Sequence, residues 1–156
     1  MRAFEFRLER VLKWKQQRER LAELRVQEAQ TRVQAAQRQA EELKEKLTLC
    51  SADLSKRDQV EQHGSTWLSR YQYAQRLTQE LEAAELGIVE AKRQLQEARR
   101  RHADIATEVA AILQLRETHW REHVRERDRR VQDQLDELGL RRWMMSHGDG
   151  TPRSSS

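Results

Sequence analysis

The residues best placed to do chemistry are His119 and His123, in His119-Trp120-Arg121-Glu122-His123. Two histidines four apart lie on one face of a helix, with a glutamate beside them. That is the H-x-x-E-H arrangement by which inverted zincins hold zinc and activate water. Hydrolysis also needs a third ligand, a substrate cleft and exclusion of water. The surrounding sequence offers Arg, Glu and Gln at nearly every turn and no element that would wall a cleft. The motif therefore reads as a polar helix face that binds added metal weakly at most. Cys50 is the one cysteine. It has no histidine or carboxylate partner that would make it a nucleophile, and it falls on an apolar stripe as a small core residue. The arginines at 99–101 and 116–130 are interleaved with Asp104, Glu108, Glu117, Glu122, Glu126 and Asp128. Such neutralisation fits an ion-paired helix face better than a nucleic-acid arm. The sequence gives no catalytic residue, no cofactor site and no metal site, and it does not read as an enzyme.

The elements that carry these residues are dictated by spacing. Apolar residues recur at alternating steps of four and three through Ala22, Val26, Ala29, Val33, Ala36, Ala40, Leu43, Leu47, Cys50 and Leu54. A second register runs Ala74, Leu77, Leu81, Ala84, Ile88, Ala91, Leu95, Ala98, His102, Ile105, Val109 and Ile112. The mean period of 3.5 keeps one stripe of a helix facing a partner helix. No proline precedes residue 152 in the 156-residue chain, which is 36% charged and 37% hydrophobic, a coiled-coil composition. Helix 1 is expected over about residues 5–60, a turn at about 62–66 around Gly64, and helix 2 over about 67–145. In that turn Gly64 would take a positive φ and Ser65 or Thr66 would cap helix 2. Gly139 is a candidate terminator. The second register is expected to slip after Ile112 to Leu113, Trp120, Val124, Val131 and Leu138.

The fold class is therefore all-α: a long antiparallel two-helix coiled-coil hairpin over 4–145, as a single domain, with a disordered C-terminal tail at 146–156. Residue i should face roughly residue 128 − i, as in an αα-hairpin closed at Gly64. Residues beyond about 127 should project as an unpaired helix, because the two helices differ in length. Pairing within the chain predicts a monomer by itself. No window approaches the roughly 20 apolar residues of a membrane span, and no signal peptide is evident. With one cysteine, a cytosolic site is the simplest reading. Residues 1–25 carry eight Lys/Arg against four Asp/Glu, residues 26–98 ten against twelve, and residues 99–156 twelve against ten. Both terminal sections are thus basic. Tyr71 and Tyr73 lie about 200° apart on a helix, so at least one is expected on the surface as a partner contact.

Three segments in order carry a family resemblance. Phe4-Glu-Phe6-Arg-Leu8-Glu-Arg-Val11-Leu12 opens the chain. Trp67-Leu-Ser-Arg-Tyr71-Gln-Tyr73-Ala-Gln-Arg-Leu77 follows the turn. Arg129-Arg-Val-Gln-Asp-Gln-Leu135-Asp136-Glu137-Leu138 stands near the end. Together they resemble the FliJ family, the stalk and chaperone-escort component of the bacterial flagellar type III export apparatus. The chain departs from the family's pattern at Lys13-Trp14-Lys15 and in its Pro/Ser tail. The resemblance implies a non-enzymatic protein without cofactor, cytoplasmic and peripheral to the inner face of the cell membrane. Its implied partners are a hexameric export ATPase, a membrane export gate protein and export chaperones. It implies no nucleic acid, and membrane association only through partners. It implies gate contacts at Tyr71, Tyr73 and Leu77. The end carrying both termini, with Phe4, Phe6, Leu8, Val131, Leu135, Leu138 and Trp143, would engage the ATPase ring. The alternatives are an injectisome-type secretion stalk, or a generic dimerising scaffold or nucleic-acid-binding rod.

Overall fold

A computed structural model describes residues 2–57 and 64–148. It is all-α: helix α1 spans Glu9–Arg57 and helix α2 spans Gly64–His147, with no strand among the described residues. The chain divides into two compact units, one of residues 14–109 and one of residues 1–13 with 110–156.

In the unit of residues 14–109, α1 and α2 pack antiparallel through the two predicted stripes. Every residue of the first stripe from Ala22 to Leu54 is buried or half-buried, and so is every residue of the second from Ala74 to Val109. Ala29 and Val33 of α1 form a core cluster with Ala91 and Leu95 of α2, flanked by Val26, Ala36 and Ala98. Cys50 is a half-buried free thiol on this stripe. Much of the stripe is alanine, so the helices approach closely over a thin core. The charged positions beside it hold register. Lys15 pairs with Glu108, and Arg70 Nη1 lies 3.8 Å from Asp53 Oδ2. Both pairs obey a facing rule of 123 − i rather than the expected 128 − i.

The shift goes with the start of α2. Gly64 is the first residue of α2 and, with Ser65 and Thr66, is helical; no glycine among the described residues has a positive φ. Residues 62 and 63 of the expected turn lie outside the described residues. With Gly64 absorbed into α2, the centre of symmetry moves back along the chain.

The ends of the helices also differ from expectation. α1 begins at Glu9, not near residue 5. Phe4 and Phe6 alternate in a non-helical segment, and the Glu9 N–H donates to the Phe6 carbonyl at 3.1 Å. That bond satisfies one of the first-turn donors that a helix start leaves open, and Glu9 itself complements the helix dipole. At the other end Gly139 does not terminate α2. It lies mid-helix with open space where a Cβ would stand, and glycine alone is too small a penalty to end a helix whose other residues favour it. α2 continues through Ser146 and His147, and Gly148 closes it by donating to the Met144 carbonyl at 2.8 Å. The expected disordered tail is thus helical at its first two residues, and 149–156 lie outside the described residues.

Two predictions follow from this packing. Leu43 is buried on the stripe, so Leu43→Asp should cost about 3 kcal/mol, from lost packing and an unpaired charge. Arg100 is exposed, so Arg100→Glu should stay within about 0.5 kcal/mol by urea denaturation. The second concerns pH. A hydrogen bond from Lys15, then its positive charge, holds the Glu108 carboxyl below its ordinary value of 4.5. A carboxyl depressed in the folded state stabilises it above the unfolded pKa and loses that contribution as pH falls through the folded one. Glu108→Gln should therefore melt modestly below wild type at neutral pH, and the two melting curves should converge on acidification below the ordinary carboxylate value.

Candidate partner-binding surfaces

The unit of residues 1–13 and 110–156 is built on aromatic contacts. Phe4 meets the Trp120 ring edge-on, with centroids 5.2 Å apart and planes at 76°. It also lies 5.5 Å from His123. Phe6, only 8% exposed, stands edge-on to His119 at 5.8 Å. Arg116 Nε reaches Glu9 Oε2 at 3.4 Å. Leu8 is half-buried and Leu12 fully buried.

These contacts correct the expected register slip. The original four-three alternation simply continues past Ile112 through Arg116, His119 and His123, and these residues meet the N-terminal segment. The histidines of H-x-x-E-H are ring partners of two phenylalanines. Among the described residues, no group of three or more His, Cys, Asp or Glu could hold a metal ion. Of the residues expected to take over the core, Leu113, Trp120, Val131 and Leu138 are at least 40% exposed, and Val124 is half-buried. They form a separate stripe beside the packed one.

Beyond Val124 no described residue covers that stripe. Every described residue from Arg125 to Gly148 is exposed, including Val131, Leu135, Leu138, Leu140, Trp143, Met144 and Met145. The helix there is held by its own i,i+4 pairs, Arg130–Glu126 at 2.6 Å and Arg141–Glu137 at 2.9 Å. Such pairs each add only a few tenths of a kcal/mol to a helix. The helix keeps a polar side of its own and leaves an apolar stripe uncovered.

The unit of residues 14–109 carries the other candidate surface. Trp67 and Tyr71 stack in parallel, with centroids 5.4 Å apart and planes at 7°. Both Tyr71 and Tyr73 are exposed, at 44% and 46%, where the helical spacing required only one to be. Tyr73 borders a shallow groove with Lys46, Leu49, Cys50 and Arg70. Leu77 is 4% exposed in the core stripe. It therefore corrects the expectation of a surface contact there, because it is spent on packing α1 against α2.

The model of the flagellar FliJ protein family matches residues 4–148. The chain belongs to the FliJ family. It is therefore a component of the bacterial flagellar protein export apparatus, and the FliJ family is a structural, chaperone-like component of that apparatus rather than a family of enzymes. No curated protein and no solved structure matches the chain. As in the sequence, no helix among the described residues is long and apolar enough to cross a membrane.

The aromatic clasp makes a prediction about this FliJ-family chain. Phe6→Ala should lower the local opening free energy at the start of α1 by about 2 kcal/mol or more, read as faster exchange of the Glu9 amide that donates to the Phe6 carbonyl. The half-buried Phe4 should matter less, and exchange at residues 29–33 should not change.

Proposed function

We propose that the chain is the central stalk of the hexameric export ATPase. It links that ring to the membrane export gate and to substrate chaperones, working in the cytoplasm against the inner face of the membrane. The observation that carries this reading is the stripe of Val131, Leu135, Leu138 and Trp143, which no described residue of the chain covers. A stalk must present a surface that its own fold does not consume, and an apolar stripe on an otherwise charged helix is such a surface. In the same unit, Phe4, Phe6 and Leu8 contribute by fixing the N-terminal segment on α2, which shapes the surface the ring would meet. The chain's contribution is positional: a ring closed on an asymmetric helix pair meets different faces with different subunits.

The gate contact is assigned to the exposed aromatics of the other unit, Tyr73 and Tyr71 backed by Trp67. Tyrosine supplies contact area at low entropic cost. Leu77 supports them only from within the core.

The flagellar family match favours the flagellar stalk over an injectisome counterpart, and it leaves little room for a generic scaffold or a nucleic-acid-binding rod.

One pair of variants tests the assignment. Deleting residues 128–156 removes no buried side chain among the described residues. It should leave the helical melt of residues 14–109 intact while abolishing stimulation of the ATPase. Tyr73→Ala should stimulate the ATPase as wild type does and bind the gate at least several-fold more weakly. Full stimulation by the truncated chain would remove the stripe from the ring-engaging role.

A further inference from the structure

The unit of residues 14–109 holds a second feature that the stalk reading does not use. On one side of the helix pair runs a groove of about 570 Å³. Its floor is Ala22, Ala98 and Ile105, with Leu21 at the lip, 51% exposed. Small side chains keep this floor low. Its rim is set with guanidinium groups, Arg18, Arg25 and Arg101. The Arg18 guanidinium lies 4.9 Å above the exposed Trp14 ring, which holds it at the edge of the groove. Glu97 and Asp104 also line it, and Glu97 is neutralised by Arg101 at 2.7 Å. With Glu97 and Arg101 paired, the remaining charged lining is Arg18 and Arg25 against Asp104, a net of one positive charge.

A stripe of complementary character exists on the same chain. Residues 131–140 hold Asp133, Asp136 and Glu137 and no Lys or Arg, with Val131, Leu135, Leu138 and Leu140 among them. All ten are exposed. A basic-rimmed apolar groove and an acidic-flanked apolar helix stripe are what a helix-in-groove contact requires.

We propose that the groove of one molecule receives the 131–140 stripe of a second copy of the chain. Apolar side chains of the stripe lie against Leu21 and the half-buried Ile105, and Asp133 and Asp136 meet Arg18 and Arg25. The expectation of a monomer rested on the core stripes being satisfied within the chain, which they are. It took no account of the stripe beyond Val124, which is not. Self-association covers that stripe while the ring is absent, and binding to the ring would compete with it. The charged part of such a contact is solvent-accessible and therefore weakened by salt.

Sedimentation velocity on the full chain, with no ATPase present, tests the contact independently of the stalk reading. Wild type should move from monomer to larger species as concentration rises at low salt, and return to monomer at high salt. Arg18→Glu with Arg25→Glu should stay monomeric across the series, as should Asp133→Arg with Asp136→Arg. All four residues are exposed, so circular dichroism should show both variants folded. An equimolar mixture of the two variants should form a dimer, because the reversed groove of one matches the reversed stripe of the other. Wild type that stays monomeric throughout overturns the proposal. So does a groove variant that associates as wild type does, or a mixture that stays monomeric. Association lost in both variants and regained in the mixture supports it.

Discussion

The fold depends on one constraint, the alternating four-three spacing of small aliphatic side chains along two helices. In the unit of residues 14–109 that spacing lets α1 and α2 bury a single continuous stripe against each other. The stripe is rich in alanine, from Ala22 to Ala40 on α1 and at Ala74, Ala84, Ala91 and Ala98 on α2. Alanine favours the helix and permits close approach, yet it buries little area per residue. Stability is thus spread over many weak layers. Charged residues beside the stripe, such as Lys15 with Glu108, matter more for register than for energy.

The same spacing explains what the other unit does with aromatic residues. Where the alternation reaches His119 and His123, it meets the non-helical segment that precedes α1. The N-terminal segment supplies Phe4 and Phe6 there. Edge-to-face contacts with Trp120 and His119 use the positive ring edges against the negative faces, which aliphatic packing would not exploit. A motif that resembles a metal site thereby becomes a packing element. The chemistry of His119 and His123 is decided by which residues the fold brings to them.

The core was legible in the sequence almost to the residue. Every position from Ala22 to Leu54 and from Ala74 to Ile112 that the period selects is buried or half-buried, because periodicity is a direct image of a two-helix contact. The facing register was not legible, since it turns on whether Gly64 belongs to the turn or to α2, a difference of a few residues that no propensity decides. The start of α1 was hidden because Phe4, Phe6 and Leu8 alternate like a strand but are followed at once by helical spacing. The slip after Ile112 was misread because Leu113, Trp120 and Val124 are the apolar residues available. The contacts of the N-terminal segment fall on Arg116, His119 and His123 as well as on Trp120. Of the candidate contact residues, Tyr73, Leu135 and Trp143 were legible as surplus to the core, whereas Leu77 could be placed in the core only once the two helices were paired.

The account rests on a division of α2 into a part consumed by packing and a part left free. Amide hydrogen exchange along α2, on dilute protein at high salt, measures that division most directly. The account predicts strong protection from Leu77 to Val109 and much faster exchange from Arg125 to His147. Adding the export ATPase should slow exchange in the second segment alone. Equal protection along the whole of α2 in the free protein would contradict it, because residues 125–147 would then have a partner within the chain and no surface to offer.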